Sequence, residues 1–113
     1  MAEDLAWHLQ TNQTLWEKWL SAGITPGMSF VVDFHFYVPR KDTATALEKT
    51  LEAAGFRVTT NAKRTLLFWK GWEITASAKH EWTLEYLNDR TREFCQQADS
   101  CGFSFEGLGA LMP

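Results

Sequence analysis

Apolar and polar positions alternate over Ser29 to Val38: Phe30, Val32, Phe34, Phe36 and Val38 fall on one face, and Val31, Asp33, His35 and Tyr37 on the other. That period of two predicts a half-buried strand. Before it, Leu5, Leu9, Trp16, Trp19 and Leu20 recur at helical spacing, which predicts a helix over 4–22 with a polar gap at Thr11, Asn12 and Gln13 that could break it. After it, Asp42 is placed to cap a helix carrying Ala44, Leu47, Leu51 and Ala54 on one stripe, and Gly55 ends that helix. A second strand is expected over Phe56 to Thr60, then a polar turn at Asn61 to Arg64. A third strand is expected over Leu66 to Ala78, with Phe68, Trp72, Ile74 and Ala76 in phase and a bulge at Gly71. The longest helix is predicted from Trp82 to Ser100, with Leu87, Thr91, Phe94 and Cys95 on its inner side. A short strand, Phe103 to Glu106, follows, and Gly107-Leu108-Gly109 closes the chain loosely.

One helix followed by βαββαβ predicts an α+β fold: a ferredoxin-like sandwich, with a four-stranded antiparallel sheet, two helices on one face and an N-terminal helix besides. The expected organisation is one domain over 1–113, with the sandwich over 29–107. The other sheet face is left wet or occupied, and the leading helix with Trp16 and Trp19 is one candidate to cover part of it.

Composition narrows the function classes. At 113 residues, 45% hydrophobic and 22% charged, the chain is an ordinary globular one rather than a disordered or low-complexity one. Its net charge of −3 is far from that of a domain holding phosphate backbones by charge alone, so direct nucleic-acid binding is not the first expectation. The start is acidic where a signal peptide needs positive charge, and no apolar run approaches a membrane span; a cytoplasmic protein without membrane contact is expected. Cys95 and Cys101 lie about 9 Å of helical rise apart, which predicts two reduced thiols rather than a disulfide. Aromatic residues make up 14% of the chain, a surplus that suggests an aromatic contact surface.

Asp33, His35 and Tyr37 share a face with Glu73 and Glu106, and carboxylates beside an imidazole are the material of acid–base chemistry or of a metal or small-molecule site. Alternation alone puts polar residues there, and His8 and His80 do not come at ligand spacing. No catalytic residue, metal or cofactor is therefore assigned. Arg57, Lys63, Arg64 and Lys70 fall between Phe56 and Trp72 with no acid among them, and with Trp69 they form a candidate RNA-binding hairpin. Glu106-Gly107-Leu108-Gly109 lacks the helix and lysine of a phosphate loop.

Val32-Asp33-Phe34-His35-Phe36-Tyr37, Ala53-Ala54-Gly55-Phe56-Arg57-Val58, Trp72-Glu73-Ile74-Thr75-Ala76 and Phe105-Glu106-Gly107-Leu108-Gly109 together resemble the RraB family of regulators of ribonuclease activity. The resemblance spans nearly the whole chain. It implies a ferredoxin-like α+β fold, no catalytic machinery, and a cytoplasmic protein that binds ribonuclease E and lowers its activity by contact. On that reading the partner is a protein, plausibly an endoribonuclease. The partner-binding residues are sought among Asp33, His35, Tyr37, Glu73, Glu106, Gly107, Leu108 and Gly109, and a homodimer is left open.

Overall fold

The computed structural model describes residues 2–25, 27–64 and 69–111. In chain order the elements are α1 (Ala2–Ser21), β1 (Phe30–Val38), α2 (Lys41–Ala53), β2 (Arg57–Arg64), β3 (Trp69–His80), α3 (Leu84–Cys101) and β4 (Ser104–Leu111). The strands form one antiparallel sheet in the order β2-β3-β1-β4, so the ferredoxin-like α+β arrangement is present, with β1 and β3 central.

Alternation along β1 converts directly into burial. Phe30, Val32, Phe34, Phe36 and Val38 are buried, and Phe34 is wholly enclosed by the rings of Phe56, Trp82, Phe94 and Phe105 at centroid separations of 5.7, 5.6, 5.3 and 6.3 Å. Phe94 of α3 is packed edge-on to Phe36 as well, at 5.0 Å. The aromatic surplus goes mainly into this layer: every phenylalanine among the described residues is buried, as are Trp19 and Trp82. Trp7, 60% exposed, is the clear exception.

α1 does not cover the far face of the sheet. It packs on α3 and β4 from the core side, with His8 against Phe105 and Trp19 against Phe30. The polar gap expected to break it lies inside a continuous helix. Asn12 is buried and donates both amide hydrogens, to Asn88 Oδ1 at 3.1 Å and Thr91 Oγ1 at 3.0 Å, while Thr91 donates to the Leu87 carbonyl. These bonds fix where α1 sits on α3. Asn12→Ala strands Asn88 and is expected to cost about 1–3 kcal/mol; a urea midpoint that moves by less than about 0.5 kcal/mol equivalent would refute this role.

Other boundaries shift for local reasons. Asp42 is not the cap of α2: Arg40 holds that position, and Asp42 sits in the first turn, accepting hydrogen bonds from Arg40 and from the Thr43 amide. Trp82 precedes α3 and is buried, because Thr83 caps the helix by accepting from the Tyr86 amide. β2 runs on through Asn61 to Arg64, where a turn was expected, and residues 65–68, Phe68 among them, lie outside the described residues. The bulge expected at Gly71 is present, as a register shift between Ala62 and Arg64 on β2. β4 reaches Leu111, so Gly107 and Gly109 are paired strand residues rather than a loose end. A second bulge lies opposite His35 and Phe36, with Gly107 at φ +120°.

Candidate open-face interface

With α1, α2 and α3 all on the core side, the second face of the sheet carries no helix. Its rows follow from the register. Asp33 of β1 lies between Ser77 and Gly109, His35 between Thr75 and Gly107, and Tyr37 between Glu73 and Ser104. On the far side of β3, Arg57 pairs with Ser77, Thr59 with Thr75 and Asn61 with Glu73. Lys79 stands beside Val31 at the opposite end from Glu73.

Two pairs of these side chains are tied across the strands. Ser77 donates to Asp33 Oδ1 at 2.6 Å, and His35 Nδ1 lies 3.3 Å from Thr75 Oγ1. Glu106, the extra residue of the β4 bulge, joins His35, Glu73 and Thr75 around a shallow cleft of about 190 Å³. A Cβ added at Gly107 or Gly109 would meet nothing within 4 Å, so this edge of the face is bare backbone with open space above it.

The structure thus brings together Asp33, His35, Tyr37, Glu73, Glu106, Gly107 and Gly109. Leu108 is not with them: it is opposite Phe34 and packs against the core. Arg57, singled out for an RNA-binding hairpin, lies exposed on this same face in the Asp33 row. Lys63, Arg64, Trp69 and Lys70 occupy positions further along β2 and β3. Lys79 lies one residue beyond the predicted end of the third strand at Ala78, and its signal in the sequence is the unbroken alternation running on to His80. Among the described residues no group of three His, Cys, Asp or Glu side chains is placed to hold a metal ion.

Two further hollows lie on the helical side. One, about 440 Å³, opens between α2 and α3 over Ala46, Leu47 and Phe103. Asp42 stands at its rim, with its carboxyl held below the ordinary carboxylate range by the hydrogen bonds from Arg40 and the Thr43 amide. The other, about 390 Å³, lies between α1, α3 and β4 beside His8 and Cys95. Both cysteines are free thiols.

A family model described as regulator of ribonuclease activity B matches residues 9–110 of this chain. The chain belongs to the RraB family. That span runs from within α1 to one residue short of the end of β4 and contains Asp33, His35, Tyr37, Glu73 and Glu106, so the family assignment and the uncovered surface concern the same folded unit. The RraB description is one of regulation of ribonuclease activity. No curated protein matches the chain. Among the described residues, no helix of this RraB member is long and apolar enough to cross a membrane.

Proposed function

We propose that this chain is a non-enzymatic regulator that lowers the activity of an endoribonuclease, of the ribonuclease E kind, by docking on it through the open sheet face. One observation carries the reading: within the span matched by the family, a complete four-stranded face bears no helix and displays charged and hydroxyl side chains over a rigid sheet. A rigid face loses little conformational freedom on docking, so polar contacts made there are retained as affinity. The bare backbone at Gly107 and Gly109 lets a partner approach without displacing side chains. Its place of action is the cytoplasm, where free thiols such as Cys95 and Cys101 persist.

The test is RNA cleavage by the purified endoribonuclease with and without this protein. Micromolar protein is expected to slow cleavage, and Glu73→Arg combined with Glu106→Arg to restore most of the rate while the fold, followed by circular dichroism, is unchanged. Cleavage that is not slowed would sink the proposal. So would slowing that survives both substitutions, or that tracks salt-sensitive binding of this protein to RNA itself.

A further inference from the structure

The charges on the open face are not scattered. Lys79 and Arg57 stand toward one end of the rows, Glu73 and Glu106 toward the other, and Asp33 and His35 occupy adjacent rows near the middle. Consider a second copy laid face to face, related by a two-fold axis that lies between the sheets and runs across the strands, midway between the rows of Asp33 and His35. The strand order is then kept and the row order reversed. Each strand faces its own counterpart, the row of Val31 meets the row of Tyr37, and the row of Asp33 meets that of His35.

Each consequence of that operation can be read from the register. Lys79 meets Glu73 of the second copy, with Arg57 one strand away to reach the same carboxylate. Asp33 meets the imidazole of the second copy's His35, and a carboxylate that already accepts from Ser77 keeps lone pairs for it. Val31 meets the ring of Tyr37. On β4, Gly109 meets Gly107, so the two backbones can close on each other where any side chain would hold them apart. By symmetry every contact occurs twice, as an isologous interface requires.

We infer that the open face is self-complementary and that its occupant, when no ribonuclease is bound, is a second copy of this chain. Four strands at ~4.8 Å spacing and seven residues along each at ~3.3 Å give roughly 400 Å² of sheet per copy. About 800 Å² over both copies is below the size of stable specific interfaces and in the range of transient ones, so the pair is weak and reversible. The inference rests on this face being a docking surface, but the protein alone reads it out.

Sedimentation velocity from low micromolar to about 500 µM is expected to show a monomer passing into a dimer that weakens at high salt, since its contacts are exposed ion pairs. Lys79→Glu and Glu73→Lys are each expected to leave a monomer, because each sets two like-charged pairs face to face. An equimolar mixture of the two variants is expected to recover the dimer, since both cross-contacts are then of opposite sign. Wild-type protein that stays monomeric throughout overturns the inference, as does a single variant that still dimerises or a mixture that does not. A monomer that nonetheless slows RNA cleavage overturns the self-pairing and leaves the ribonuclease reading standing. A dimer that leaves cleavage untouched does the reverse.

Discussion

Gly71→Ala is expected to destabilise the protein by about 3 kcal/mol or more, through two costs that add. The first is intrinsic. Gly71 holds φ +113°, where an L residue crowds its own backbone. The second belongs to this fold. An alanine Cβ would stand 2.6 Å from the Val38 carbonyl oxygen, 3.0 Å from Pro39 Cα and 3.1 Å from the Tyr37 hydroxyl. Two of these obstacles are backbone atoms at the end of β1, which cannot swing away as a flexible side chain would. Relief requires β3 to withdraw from β1 at the bulge, opening the two central strands of the sheet. Urea unfolding measures the cost; a loss under about 1 kcal/mol would mean that the bulge relaxes freely and that the close approach is not a constraint. Because Tyr37 lies in the row of Glu73, the substitution also disturbs the acidic end of the open face.

How far such features are legible in a sequence depends on whether their causes are local. β1 was legible because a period of two over Phe30 to Val38 has a single reading, and its burial follows it position by position. The bulge at Gly71 was legible because a lone glycine in an otherwise alternating strand has few other uses. The continuity of α1 through Asn12 was not, because its reason lies in Asn88 and Thr91, far along the chain. Taken alone, Thr11-Asn12-Gln13 is a helix-weakening run; folded, it is an interhelical clamp. The end of the chain failed for the opposite reason. Gly107 and Gly109 carry the local signal of a loop, but pairing with β1 draws both into the sheet, and the bulge there takes up the one residue that does not fit.

The same contrast governs the site. Asp33, His35, Tyr37, Glu73 and Glu106 could be placed on one face by phase alone. That Arg57 joins them beside Asp33 depends on the register between strands, which no single strand encodes, whereas Lys79 follows from the alternation of β3 itself running on to His80. Leu108 groups with Glu106 and Gly107 only while that segment is taken for a closing turn; paired into β4 beyond the bulge, it stands opposite Phe34 and packs on the core. The aromatic surplus, read as a contact surface, is chiefly the core. Small α+β sandwiches must fill a broad, thin layer between sheet and helices, and interlocked rings of Phe34, Phe36, Phe94 and Phe105 do so with few residues.

Neighbouring positions on β1 should therefore respond in opposite ways. Phe34→Ala removes a fully buried ring from contact with Phe56, Trp82, Phe94 and Phe105, and these cannot all close the gap because each is held by a different element. The expected loss is about 3–5 kcal/mol, the transfer of the ring to water plus the cavity left behind, which is a large part of a small domain's total stability. Cooperative thermal unfolding should move down by tens of degrees or vanish at ordinary temperature. His35→Ala removes an exposed side chain that meets the Thr75 hydroxyl at 3.3 Å, and should change stability by no more than about 0.5 kcal/mol. Its effect falls on binding instead: loss of an imidazole at the centre of the open face should weaken the slowing of RNA cleavage several-fold in a protein that melts like the wild type. A Phe34→Ala protein of near-native stability would mean that the core is not where the alternation puts it. A His35→Ala protein with regulation intact would move the docking surface off this face.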